Sequence, residues 1–136
     1  MKSRKHSLKI IALIAIVTLI LLGRLTSAQR SSRLIVSRTA GAGAQDTDSF
    51  TPKDHVIYAI FAVANPDPKA MYKFVWGRYN PRTSTPDTIF QEELTNQTGN
   101  QVVSKFTSPS DLPLADYNVN LWAGHSHARK VFTVKE

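Results

Sequence analysis

The feature that most constrains the fold of this chain is the regular interruption of short apolar runs by proline, glycine and asparagine, from Phe50 to the C-terminus. The runs between these breaks are rich in β-branched and aromatic residues, which favour strands. No amphipathic helical pattern of useful length occurs in this part of the sequence. Short strands with this punctuation are typical of an antiparallel β-sandwich or barrel, so we predict an all-β fold.

Six of these runs are predicted to form strands. The run 55–64 is continuously apolar, and we assign it to a buried strand because prolines lie on both sides of it. The run 70–79 alternates, which places Tyr72, Phe74 and Trp76 on one face. The other strands are expected at 88–94, 101–106, 117–122 and 128–134.

Two connections carry clear turn signals. Residues 80–87, "NPRTSTPD", contain two prolines and are expected to form a loop. Gly124 separates the last two predicted strands, and a glycine supplies the positive φ that a tight hairpin often needs. We therefore expect the chain to end in a β-hairpin.

The first 28 residues have the three parts of a secretory signal. A basic start that includes Lys2 and Arg4 precedes an apolar run from Ile10 to Leu22, and Ala28 ends a small-residue cleavage site. The apolar run has 13 residues, whereas a spanning helix needs about 20. We expect a signal peptide that is cleaved after Ala28, with an uncleaved signal-anchor helix as the alternative.

Both alternatives place the rest of the chain outside the cytoplasm. A cleaved chain would be secreted, periplasmic or on the cell surface, whereas an anchored chain would be a single-pass protein that contacts the membrane only through residues 8–28. Residues 29–48 are mostly small, polar and glycine-bearing, which predicts a flexible linker. A short strand at Leu34–Val36 is an alternative for part of this segment. The folded domain is then expected to span 49–136.

The distribution of charge argues against a nucleic-acid partner. The formal net charge is +7, from 17 basic and 10 acidic residues, but residues 1–28 contain five Lys or Arg and no acid. From Asp46 onward, 9 basic residues stand against 10 acidic ones. A domain with this balance lacks the basic surface that a phosphate backbone requires.

The residue patterns of common catalytic sites are missing from the sequence. The chain has no cysteine, which excludes a thiol nucleophile, cysteine-ligated zinc and disulfides. Neither a G-x-S-x-G elbow nor a phosphate-binding glycine loop occurs. Glu92 and Glu93 are adjacent, so on a strand they point to opposite faces. We therefore expect no enzyme, no catalytic residue and no cofactor.

Two histidines in the last hairpin, His125 and His127, require separate consideration. Residues i and i+2 of a strand share a face, so both histidines can in principle reach one metal ion. Zinc or copper needs at least a third ligand, and the hairpin offers none; His55 would have to supply it from another strand end. A polar turn explains the same residues, so no metal site is predicted and the two histidines remain weak candidates.

The segment "LPLADYNVNLW" resembles the entry to the penultimate strand of immunoglobulin-like (Ig-like) and fibronectin type III-like domains. In such domains a tyrosine opens this strand and bonds its hydroxyl to upstream backbone, and Tyr117 is the matching position. Trp76, on the third strand counted from Phe50, resembles their core tryptophan. The resemblance covers residues 50–136 and implies an antiparallel Ig-like sandwich of about six to seven strands, similar to exported bacterial modules. The cysteine pair of antibody domains is absent.

Alternation along three strands defines a candidate binding face. If Tyr117, Val119 and Leu121 point into the core, the residues between them point outward, and the same reasoning applies to 70–79 and 128–134. In an Ig-like sandwich these three strands are neighbours in one sheet. The outer face is therefore expected to carry Trp122, Asn118, Asn120, Val131, Thr133, Val75 and Tyr79.

Aromatic and aliphatic side chains among amides are typical of a surface that contacts a protein or a glycan. We therefore expect a non-enzymatic exported binding module that contacts another envelope or extracellular protein, or a glycan, through this face or through an edge strand. The alternatives are a permanent structural or accessory subunit of an envelope assembly and an envelope metal-binding protein that uses the two histidines. A solvated face is also possible, because β-propensity alone favours Trp, Tyr, Val and Thr in strands.

Overall fold

The computed structural model describes residues 33–95 and 99–136. The predicted signal or anchor segment, 1–28, lies outside the described residues. The described part contains eight strands and no helix, and within it no helix is long and apolar enough to cross a membrane.

The eight strands form two sheets. The strands are β1 (Leu34–Ser37), β2 (Ser49–Phe50), β3 (Val56–Ala62), β4 (Met71–Asn80), β5 (Thr85–Thr95), β6 (Gln101–Thr107), β7 (Ala115–Ala123) and β8 (Ser126–Val134). One sheet has the order β1-β3-β6 and the other β2-β8-β7-β4-β5. Every neighbouring pair is antiparallel except β2 and β8, which are parallel. The prediction of an all-β fold is confirmed, with eight strands in place of six to seven.

The core lies between the two sheets and centres on Trp76 of β4, which is fully buried. Its indole N–H donates to the Ser104 hydroxyl of β6 at 2.9 Å, and that hydroxyl donates in turn to a carboxylate oxygen of Glu92 on β5. The indole ring also stacks on Phe106, with ring centroids 5.6 Å apart. The predicted core position of Trp76 is confirmed, and its one polar atom is satisfied across the gap between the sheets.

Tyr117 fixes the chain at the start of β7. Its side chain is buried, and its hydroxyl donates to the Pro113 carbonyl oxygen at 2.9 Å, as the resemblance implies. Burial raises the pKa of this hydroxyl, and the nearby Arg78 guanidinium opposes the shift without cancelling it. The hydroxyl therefore remains a protonated donor, and the ring stacks on Phe132 with centroids 5.4 Å apart.

The segment 29–48 contains a strand where the sequence predicts a flexible linker. β1 pairs antiparallel with β3, and its Leu34 and Val36 enter the core with exposures of 8% and 0%. The short strand that the sequence left as an alternative at Leu34–Val36 is therefore present, and the folded part begins ahead of Phe50. Local composition did not decide between a linker and this strand, because the strand is stabilised by a partner strand more than 20 residues away in the sequence.

Asp46 ties the end of this segment to both sheets. Its carboxylate accepts the Val36 backbone N–H at 3.3 Å and pairs with Arg33 and with Lys130 of β8, each at 2.9 Å. Burial opposes ionisation of Asp46, but the hydrogen bonds from the two cations and the amide outweigh it and lower the pKa of the carboxyl. The carboxylate is therefore an anchor for β1 as well as a surface charge.

β5 begins at Thr85, inside residues 80–87 that the sequence assigns to a loop. Pro86 lies in this strand opposite Tyr79. Proline is compatible with a sheet edge, where no N–H has to be donated to a further strand, and β5 is an edge strand of the larger sheet. The loop prediction is therefore wrong for 85–87, because proline excludes a central strand and not an edge strand.

Candidate functional site

The three strands of the predicted face are neighbours in the larger sheet. The inward residues of β7, Tyr117, Val119 and Leu121, are all buried, so the predicted alternation is confirmed. Three cross-strand rows on the opposite, outer face run from β4 through β7 to β8: Lys73–Trp122–His127, Val75–Asn120–Arg129 and Gly77–Asn118–Val131. We call the outer surface of β4, β7 and β8 the outer face.

Four large apolar side chains on this face are exposed. Met71, Trp122, Tyr79 and Val131 retain 51%, 42%, 42% and 49% of their accessible surface. The predicted residues between them, Val75, Asn120 and Thr133, are half-buried. The outer face thus combines exposed apolar groups with half-buried polar and aliphatic ones.

Asn118 points outward, as alternation predicts, but is covered by its neighbours. It lies on the outer face but is only 5% exposed, because it packs over Gly77 of the neighbouring strand. A Cβ atom at Gly77 would lie 2.8 Å from Asn118 Oδ1 and 3.0 Å from the Pro86 side chain, so only glycine leaves room for this arrangement. Alternation predicts the direction of a side chain, whereas the neighbouring strands decide how much of that side chain solvent reaches.

Trp122 is held in place by its cross-strand neighbour. The rings of Trp122 and His127 stack with centroids 4.7 Å apart and an interplanar angle of 28°. His127 Nε2 lies 3.2 Å from Asn120 Oδ1, and Asn120 Nδ2 donates to Asn118 Oδ1 at 3.2 Å. The indole is therefore oriented by a chain of side-chain contacts while it remains exposed, which lowers the entropy cost of using it as a contact residue.

The His-x-His hairpin forms a tight turn. Ala123 and Ser126 are the last cross-strand pair, so Gly124 and His125 alone form the turn. Gly124 has φ +58°, which matches the first central position of a type II′ turn. His127, by contrast, lies on β8 against Trp122.

The described residues contain no group of three or more His, Asp or Glu able to hold a metal ion. His55, the third histidine of the described residues, precedes β3 and lies 3.0 Å from Asp111. Val63, at the other end of β3, shares a cleft with the hairpin residue Ser126. The histidines are thus placed at opposite ends of the described part, and the geometry does not favour a shared metal.

Two surface features were not predicted from the sequence. A cleft of about 420 Å³ opens beside the β7–β8 hairpin, between Phe61 and Leu121. On the smaller sheet, Ile60 points away from the core but is only 2% exposed, and it is paired with Ile35 on one side and Val103 on the other. The signal for the second feature was the unbroken apolar run 55–64, which predicts a strand covered on both faces.

No protein-family model matches the chain, and no curated protein matches it. Function is therefore inferred from the geometry and chemistry of the chain's own residues.

Proposed function

We propose that the chain is an exported, non-enzymatic binding module with an Ig-like arrangement of strands, which contacts another envelope or extracellular protein. The contact surface is the outer face, with an open strand edge as a second route. The single observation that carries the proposal is Trp122, which is 42% exposed and yet fixed by its stack on His127.

The energetic argument starts from the uncovered part of the indole. A tryptophan side chain presents about 240 Å², so the exposed 42% corresponds to about 100 Å² on that scale. At about 25 cal/mol per Å², covering this surface contributes about 2.5 kcal/mol. That is the size of a binding hot spot, and tryptophan is among the residues most enriched at such positions.

The side chains around Trp122 are polar or charged, as in the rim that surrounds an aromatic contact residue in many protein interfaces. Lys73 and Arg129, on the strands to either side, are exposed, and within residues 33–95 and 99–136 neither forms an ion pair. Charged and amide groups around an apolar centre are the usual anatomy of a transient protein interface. Two cations beside the indole favour a partner with an acidic surface.

The Ig-like arrangement is supported by two contacts at the positions that the resemblance picks out. Trp76 fills the centre of the core, and the Tyr117 hydroxyl bonds to the backbone of Pro113. Export is supported by the signal pattern of residues 1–28. Non-enzymatic action follows from the absence of a recognisable nucleophile, base and acid set in the sequence.

The proposal is tested by crosslinking capture from the native envelope with the wild type, Trp122→Ala and a control, Leu114→Ala. Leu114 is also exposed, at 57%, but lies before β7 and outside the outer face. We expect the wild type and the control to capture the same protein and Trp122→Ala to lose it while its circular dichroism spectrum is unchanged. Equal capture by all three proteins would remove the outer face from the proposal, and capture of glycan alone would replace the protein partner.

A further inference from the structure

β6 forms an open edge of the smaller sheet. Among the described strands its only neighbour is β3, and the two pair in unbroken register from Ala62↔Gln101 to Val56↔Thr107. One side of β6 therefore has a hydrogen-bonding row that no described strand occupies.

The residues that face this open side follow from the hydrogen bonds at the two ends of the pair. The Val63 N–H donates to the Asn100 carbonyl at 2.7 Å, and the Ser108 N–H donates to the His55 carbonyl at 2.8 Å. In an antiparallel ladder, residues alternately face the partner strand and face away from it. Both ends give the same result: the even-numbered residues of β6 bond to β3. The backbone groups that turn to the open side belong to Gln101, Val103, Lys105 and Thr107.

The side chains of the same residues lie on the outer surface of the smaller sheet, where an apolar row leads to the edge. The row is Ile35–Ile60–Val103, and Ile60 at its centre is only 2% exposed. Val103 is half-buried and has an apolar neighbour on one side only. Lys105 is exposed and makes no ion pair with any residue that the structure describes.

The other strand edges are less suited to receive a further strand. β1 and β2 have only 4 and 2 residues. β5 carries Pro86, a register shift that leaves Ile89 unpaired, and two adjacent glutamates, all of which are features that block edge-to-edge pairing. β6 has seven residues, a regular register and no proline. It is the least protected edge of the described part.

We propose that β6 receives an extended segment of a partner protein by antiparallel strand addition, with a β-branched apolar side chain beside Val103 and a carboxylate beside Lys105. The apolar residue continues the row that begins at Ile35, and the carboxylate pairs with the free lysine. A second copy of β6 is disfavoured as the occupant because it offers another lysine and no acid. This inference rests on the proposed binding function and assigns an edge, a register and a partner chemistry to it.

The test uses the purified full chain and a synthetic capped peptide, Thr-Val-Glu-Thr-Ile-Val-Thr. Antiparallel pairing with β6 places its glutamate beside Lys105 and its isoleucine beside Val103. The readout is amide hydrogen exchange by NMR. We expect exchange at Val103 and Lys105 to slow at least about tenfold when peptide is bound, with little change at Val102 and Ser104, which already bond to β3. A peptide with lysine in place of glutamate should bind about two- to tenfold more weakly.

Lys105→Pro and Lys105→Ala separate the backbone from the charge. Proline removes an N–H that faces the open side and breaks no bond to β3, so it should abolish peptide binding while the fold persists. Alanine keeps the N–H and should weaken binding only as much as the lysine peptide does. Tight binding by Lys105→Pro, confirmed as folded by circular dichroism, would overturn the inference.

Other outcomes distinguish this inference from the proposed function. Peptide-induced changes confined to Trp122 and its neighbours would overturn strand addition at β6 but leave the outer face in place. Concentration-dependent protection of Val103 without peptide would identify a second copy as the occupant and contradict the inference. The absence of protection at Val103 and Lys105 at millimolar peptide would also overturn the inference. The capture experiment with Trp122→Ala tests the outer face alone, so its result does not affect hydrogen exchange at β6.

Discussion

Replacing Ser104 with alanine should destabilise the protein by more than the loss of a small polar side chain implies. The Ser104 side chain is fully buried and accepts the only polar hydrogen of the Trp76 indole at 2.9 Å. Ser104→Ala leaves that N–H without a partner between the two sheets. An unsatisfied buried donor costs about 1–3 kcal/mol, and the lost hydrogen bond to Glu92 adds to this cost, so we expect a decrease of about 2–3 kcal/mol in the free energy of unfolding.

The assay is urea unfolding monitored by circular dichroism, with Ser104→Ala measured in the wild type and in Trp76→Phe. In the Trp76→Phe background no indole N–H exists, so the same Ser104 substitution should cost about 1–2 kcal/mol less than in the wild type. The urea dependence should keep its slope, since the surface exposed on unfolding is similar. Equal costs in the two backgrounds would contradict this prediction, because the hydrogen bond between the sheets would then contribute nothing.

Three further predictions test the fold and the outer face. Gly77→Ala should lower the free energy of unfolding by about 1–3 kcal/mol, because the new Cβ lies 2.8 Å from Asn118 Oδ1; urea unfolding checks this. Tyr117→Phe should cost about 1 kcal/mol and lower Tm by about 4–8 °C, measured by calorimetry, because it removes the bond to Pro113. The pKa of Asp46 is lowered in the folded state, so its contribution is fully present above the ordinary value of 3.8 and is lost as pH falls through the lower folded value. The stability difference between wild type and Asp46→Asn should therefore shrink in strongly acidic urea titrations, and a constant difference from pH 7 to 2 would contradict the ion-pair account.

The sequence predicted most of the larger sheet. The inward direction of alternating residues such as Phe74 and Val119 can be read from the sequence. Side chains alternate between the two faces of a strand whichever strand pairs with it. The order of the strands on the outer face came from a resemblance carried by Trp76 and Tyr117, and the structure places both side chains in the core. The coarse fold and the direction of the side chains on the outer face were therefore accessible from the sequence.

Features that depend on distant partners were left undecided, were not predicted or were predicted wrongly. β1 is a strand because it pairs with β3, and Pro86 is tolerated because β5 has no outer neighbour among the described strands. Asn118 is covered because Gly77 leaves a gap that the asparagine fills. Each depends on which strands become neighbours, and local composition carries little information about that.

We propose that the protein acts by binding through exposed groups on its outer face, with Trp122 as the anchor. The most direct test is the affinity of the captured partner for wild type and for Trp122→Ala, measured by isothermal titration calorimetry at the same salt concentration. Because covering the exposed indole contributes about 2.5 kcal/mol, we predict that Kd rises by a factor of about 60 in the variant. A change of less than about twofold in a correctly folded variant would contradict the claim.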